Sequence, residues 1–169
     1  MARQIITYPD PILRQEARPV DVINGTVSEL AQDMARLMYE KRGIGLAAPQ
    51  VGESLRVITV DVTGPDIREG LRTFINPEIV WSQGETDFEE GCLSVINFQA
   101  KVQRAERLRI RALDLEGREV EEEGEGLWAI CVQHEIDHLN GILFIDHLSR
   151  LKRSMYEKRL RKWLEEKKE

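Results

Sequence analysis

Two histidines four residues apart, with a glutamate beside the first, stand at His134-Glu135-Ile136-Asp137-His138. On an α-helix, residues four apart lie one above the other, so both imidazoles can reach a single ion. Glu135 projects about 100° round the helix from His134. It can therefore stand beside an ion and take a proton from a bound water without being a ligand. The bland alternative is a surface helix with incidental histidines. Catalytic ions usually have three protein ligands and one open position, so a third donor is needed. Cys92, in Glu90-Gly91-Cys92-Leu93-Ser94, is the best candidate, since Gly91 would let the backbone pass close to an ion. Cys131 shares a helical face with His134 but makes a poor third corner, and reads better as a small apolar wall residue. His147 reads as an ordinary surface or capping histidine.

A third stretch, Gly43-Ile44-Gly45-Leu46-Ala47-Ala48-Pro49-Gln50, formally fits a relaxed dinucleotide fingerprint. Its context argues against that, because it follows a helical segment and Pro49 interrupts any helix beginning there. The better reading is a close-approach loop whose glycines expose backbone to a ligand, with the Gln50 amide aimed at the same place. Leu127, Ile130, Cys131, His134 and His138 recur at helical spacing, so one face could carry both an apolar pocket wall and the ion.

The elements that must position these residues are legible in part. Residues 26–41 read as a helix, with Thr26 and Glu29 spaced as a capping box, Val27, Leu30, Met34, Leu37 and Met38 on one face, and Gly43 as its stop. Residues 55–61, 72–81 and 108–115 read as antiparallel strands. A second helix spans about 125–139, halted by Asn140-Gly141. A third covers about 149–166, with Leu151, Met155, Leu160, Trp163 and Leu164 as its apolar stripe. Helix, strands, then helices predict an α+β class: antiparallel strands around a central metal-binding helix, with an N-terminal and a C-terminal helix.

The chain has 169 residues, which fits one catalytic domain over 1–169. Hydrophobic residues at 41% and charged residues at 32% exclude a disordered or membrane-embedded chain. No signal-peptide stretch opens the sequence, and two cysteines give no disulfide framework, so a cytoplasmic location is expected. The net charge of −6 is uneven: residues 150–169 carry nine Lys/Arg against four Glu, hence +5, leaving −11 for the rest. A basic tail on an acidic body reads either as a docking surface or as a solvated helix.

Taken together, Gly43–Gln50, Glu90–Ser94 and Gln133–His138 resemble, in order and separation, the three signatures of the peptide deformylase family, GxGxAAxQ, EGCLS and QHExDH. The likeness extends over essentially the whole chain. It implies one divalent ion held by Cys92, His134 and His138, with Fe²⁺ expected in the cell and Zn²⁺, Ni²⁺ or Co²⁺ compatible with the same donors. It implies hydrolysis of the N-formyl group of formyl-methionyl nascent peptides, with hydroxide attacking the formyl carbon and Glu135 as general base, then acid. The Gln50 amide and the backbone N–H of Leu93 would stabilise the oxyanion. Ile44 and Phe88 would join Leu127, Ile130 and Cys131 around the methionine side chain, and backbone of Ile44 and Gly45 would pair with the peptide. Glu90 and Arg104 would form a charge pair bracing the Cys92 segment. The basic C-terminal helix resembles one that docks on the ribosome, so removal of 150–169 is expected to spare activity on small peptides. No membrane partner or specific nucleic-acid motif is indicated. The sequence departs from the family pattern at Ile96 and Gln99, which leaves the substrate-side loop 95–101 open. A metal-dependent peptidase and a non-catalytic metal or redox module are the alternatives; the latter would need a fourth protein ligand.

Overall fold

The computed structural model describes residues 2–168. A helix α1 (Gly25–Glu40) is followed by seven strands: β1 (Gly45–Ala47), β2 (Val57–Val60), β3 (Arg72–Gln83), β4 (Thr86–Cys92), β5 (Val95–Arg104), β6 (Arg107–Leu113) and β7 (Glu119–Glu125). Helices α2 (Leu127–Leu139) and α3 (Arg150–Lys167) complete the chain. All strand pairings are antiparallel: one sheet in the order β1-β2-β3-β6-β7, and a separate β4-β5 hairpin. The α+β class is as expected.

The predicted apolar face of α1 is buried, with Val27, Leu30, Met34, Leu37 and Met38 packed against Leu46, Val57 and Ile75. Its caps differ from expectation. Asn24 is the N-cap, its side chain accepting from the N–H groups of Thr26 (3.0 Å) and Val27 (3.2 Å). Thr26 therefore lies inside the first turn and the Thr26–Glu29 box does not form, because Asn reaches both orphan donors from one residue earlier. At the other end Arg42, not Gly43, takes the left-handed conformation (φ 59°), while the Gly43 N–H closes on the Met38 carbonyl at 2.8 Å.

Helix α2 is buried on nearly every side, which suits a central element. Ala129, Cys131, Val132, Ile136 and Leu139 pack on Ile58, Val60, Phe74, Leu108 and Ile110 of the five-stranded sheet. Glu125, expected in the helix, ends β7 instead; Gly126 at φ 62° turns the chain between them.

Strands β4, β5 and β7 escaped the sequence reading. Glu119-Val120-Glu121-Glu122-Glu123-Gly124-Glu125 has low β-propensity, but its register sets Glu121, Glu123 and Glu125 opposite Arg111, Arg109 and Arg107. Charges along this edge also deter further strand addition.

Helix α3 has its expected span, with Ser149 as N-cap. Its buried stripe is different: Leu151 is 71% and Met155 56% exposed, while Tyr156 and Leu160 are buried. Tyr156 shares a core with Val95, Val102 and Phe144, with Trp163 and Leu164 packed at its edge. The helix thus backs the β4-β5 hairpin rather than lying free.

Candidate metal-dependent active site

Two structural pieces converge on one spot. Helix α2 presents His134 and His138, and the end of β4 presents Cys92, just after a register shift between Gly91 and Cys92. The donor atoms of these three residues all lie within 4.8 Å of one another. Cys92 Sγ is 3.4 Å from His138 Nε2. A tetrahedral ion with ordinary thiolate and imidazole bond lengths would separate such atoms by about 3.6 Å. The donors therefore fit one ion, and among the described residues this is the group that could hold one.

The ligands are oriented from behind. His134 Nδ1 lies 2.9 Å from Glu90 Oε1, and since a carboxylate only accepts, Nδ1 carries the proton and Nε2 is free for the ion. Glu90 is gripped by both arms of Arg104, at 2.7 and 2.8 Å, with both side chains 4% exposed. Burial disfavours a charge on Glu90, but Arg104 and His134 outweigh that and hold its pKa down at about 2. The predicted Glu90–Arg104 pair forms, and is buried rather than superficial.

Glu135 lies next to the triangle and is 4% exposed. Its Oε1 is buried with no hydrogen-bond partner, and burial pushes the carboxyl up to about 7, against the pull of His134. A Cβ on Gly45 would come within 2.5 Å of Glu135 Oε2 and 2.6 Å of Cys131 Sγ. Only glycine leaves room there for the carboxylate and the thiol. By contrast, a Cβ on Gly91 would meet the Gln99 side chain at 3.4 Å, an ordinary contact, so Gly91 is not where the backbone crowds the metal donors.

Gln50 is placed by the 3-10 turn Ala48–Val51. Its Oε1 accepts from Ala47 N–H at 2.9 Å, which leaves Nε2 to donate to Ser94 Oγ at 3.0 Å, with Cys92 Sγ 3.6 Å away. The amide is thus turned with its N–H side toward the metal donors. Ser94 in turn donates to the Ile6 carbonyl at 2.6 Å. Ser94 was missed as a site residue, although it stands in the same five-residue motif as Cys92; only the fold shows that its hydroxyl holds Gln50.

In front of the triangle opens a cavity of about 770 Å³, lined by Ile44, Gly45, Gln50, Phe88, Leu93, Leu127, Ile130, Cys131, His134 and Glu135 among others. Every expected pocket residue borders it, whereas His138 is 1% exposed and lies beneath. Arg42 and Asn97, which the sequence did not single out by themselves, also line it, as does Gln99 of the substrate-side loop. Ile96 does not; it lines a small slot against α3 with Tyr156 and Trp163. β1 is an edge strand, and its alternation decides which backbone is available. Ile44 O accepts from Asp61 N–H at 2.8 Å and Cys131 Sγ lies 3.5 Å from it, so that carbonyl is spent inside the fold. Gly45, one residue on, directs its N–H and C=O to the open side.

His147 is exposed, as expected of a surface histidine, but it is also tied into the site. Its Nε2 lies 2.8 Å from Asp137 Oδ2, which also accepts from Arg104 Nη1 at 2.7 Å. It belongs to the polar chain behind His134.

Comparison with known proteins agrees with this geometry. The family model described as polypeptide deformylase matches residues 2–154. A peptide deformylase of Alkalilimnicola ehrlichii is 51% identical over 158 residues, covering 94% of this chain and 88% of that one. One of Mesorhizobium japonicum is 47% identical over 166 residues, covering 98% and 94%. The crystal structure of a peptide deformylase from Legionella pneumophila superposes with a TM-score of 0.91 at 47% identity, covering 99% of this chain and 98% of that one. A peptide deformylase from Ehrlichia chaffeensis in complex with actinonin matches with a TM-score of 0.89 at 35% identity, covering 95% and 96%.

Proposed function

The chain belongs to the polypeptide deformylase family, and on that premise we propose how its own residues carry out the metal-dependent removal of the N-formyl group from nascent peptides. The observation that carries the reading is the Cys92–His134–His138 triangle beside the buried, unpartnered Oε1 of Glu135. A divalent ion held there supplies Lewis acidity, making a water nucleophilic near neutral pH and polarising the formyl carbonyl.

Glu135 accepts the proton of the attacking water and returns it to the departing amine. Its buried position, with a carboxyl pushed up to about 7, suits it to both directions of transfer near neutrality. Gln50 Nε2 and Leu93 N–H donate to the oxygen that becomes negative in the tetrahedral intermediate. Ile130, Cys131, Ile44, Leu127 and Phe88 enclose the methionine side chain, with Phe88 and Leu127 at the mouth, 40% and 38% exposed. Gly45 pairs with the peptide backbone as an added strand, while Ile44 contributes side chain rather than carbonyl. Glu90 and Arg104 hold His134 in its metal-binding orientation.

Among the described residues three candidate ligands gather without a fourth, which favours a catalytic site over a closed structural one. Fe²⁺ is the proposed resident ion, an assignment that rests on the family likeness, since the thiolate–imidazole donor set also suits zinc, nickel or cobalt. The chain acts as a single catalytic domain over residues 1–169. A cytoplasmic site of action follows from the need for a free Cys92 thiol and from formylated nascent chains as substrate. Among the described residues no helix is long and apolar enough to cross a membrane. The basic face of α3 is the proposed ribosome contact.

The test is formate release from a formyl-methionyl peptide, compared with acetylated and internal-peptide substrates. Metal-loaded protein should release formate, and Glu135→Gln should abolish release with the metal still bound. Full activity in that variant would remove Glu135 as the base; equal cleavage of internal peptides would favour a peptidase.

A further inference from the structure

Behind the metal donors runs a continuous polar chain that ends at the surface: His134, Glu90, Arg104, Asp137, His147, with successive contacts of 2.9, 2.7, 2.7 and 2.8 Å. Its outer end belongs to the 3-10 turn Phe144–His147. The same turn reaches His134 a second way, because the Phe144 ring stacks on that imidazole at 6.1 Å and 26°. We propose that the turn Phe144–His147 is an outer clamp on the metal ligand His134, with His147 as a positioning residue that acts through Asp137, Arg104 and Glu90. The proposal rests on the metal-site reading above.

The physical case is one of divided loyalties at Arg104. Its Nε and Nη2 grip both oxygens of Glu90, and Nη1 is left for Asp137. Asp137 lies on α2 three residues after His134, so the chain closes a ring through that helix. Glu90 and Arg104 are sealed at 4% exposure, but the Asp137 side chain is 20% exposed and can turn to water. His147 is what fixes it from outside. Without that hydrogen bond Asp137 can turn away from Arg104 Nη1, and the Glu90 carboxylate that orients His134 Nδ1 is braced less firmly. The turn is itself tied down: Asp146 accepts from Leu143 N–H at 2.9 Å and from Arg14 at 2.5 Å. Phe144 is 1% exposed, so its ring cannot leave the imidazole. The apolar face and the polar edge of His134 thus answer to one short segment.

The test uses the full chain loaded with Co²⁺, whose visible spectrum reports thiolate and imidazole coordination. Loss of a group that directly backs a ligand lowers metal affinity about 10- to 100-fold. His147 acts three groups further out, beyond Arg104 and Asp137, so H147A should release Co²⁺ to a chelator about five- to tenfold faster and shift the visible bands. H147Q, which can still donate to Asp137, should return both readouts to within about twofold of wild type. Release is measured well below each variant's melting temperature, so a merely lower Tm does not mimic the effect. F144L, acting through the other arm of the clamp, should also speed release, and it decides the matter if H147A folds poorly. Wild-type release and spectrum in both H147A and F144L would overturn the clamp. Absence of a thiolate–Co²⁺ spectrum in wild-type protein would instead overturn the metal reading itself.

Discussion

Glu135 is both the group that the proposed chemistry needs and a burden on the empty protein. Its carboxyl is raised from 4.5 to about 7, so folding favours the protonated form. The sign follows: the metal-free protein has the full benefit below about pH 4.5 and loses it as pH rises through 7. Metal-free Glu135→Gln should therefore be more stable than wild type at pH 8, by on the order of 3 kcal/mol at about 1.4 kcal/mol per unit. The gain should shrink toward pH 4; equal denaturation midpoints at pH 8 would show that the carboxylate is not penalised. Gln50 is a burden of another kind, a buried amide held by Ala47 and Ser94 with its N–H side toward the metal donors. Gln50→Ala should lower kcat about 10²–10³-fold, equivalent to about 3–4 kcal/mol of lost transition-state stabilisation. Metal content, assayed in parallel, should stay near wild type, because Gln50 is not a ligand.

At the scale of elements, the β4-β5 hairpin and α2 are joined by Glu90. Its pKa is depressed from 4.5 to about 2, so it stabilises the fold fully above about pH 4.5 and that contribution is lost as pH falls toward 2. Acid unfolding followed by circular dichroism should show this: Glu90→Gln should be destabilised at neutral pH and lose less further stability than wild type between pH 4.5 and 2. An unchanged profile in that window would mean the pair does not link hairpin to helix. The β6-β7 ladder is a contrast. Its Arg–Glu pairs are about half exposed, at 3.1 to 3.7 Å, and each is worth at most about 1 kcal/mol. They specify register at the sheet edge more than they stabilise it.

For the whole molecule, α3 has two faces with separate duties. Its inner face is core: Tyr156 and Leu160 pack with Val95 and Val102, and Tyr156 lies 4.6 Å from the Phe98 ring on the cavity wall. Removal of residues 150–169 would strip that core, contrary to the expectation that activity on small peptides would survive it. Along its exposed surface stand the cations Lys152, Lys158 and Lys162. Reversing these three to Glu should weaken co-sedimentation with ribosomes while kcat/KM on a formyl tripeptide stays within about twofold. Undiminished co-sedimentation would remove α3 as the docking surface.

The sequence by itself singled out Cys92, His134, His138, Glu135 and Gln50 by residue type and by spacing within short motifs, and their proposed roles rest on the family likeness. It also determined α1, the core of α2 and the span of α3, whose apolar periodicities are local. Only the tertiary structure decided what lies behind those residues. Ser94 under Gln50, Arg104 between Glu90 and Asp137, and His147 at the end of that chain are partners 33 to 44 positions apart or brought in from another element. No periodicity records such pairings. The same holds for β4, β5 and β7, whose polar runs become strands through cross-strand partners. At Gly45, finally, the sequence offered a flexible residue near a ligand, and packing against Glu135 and Cys131 supplied the reason for it.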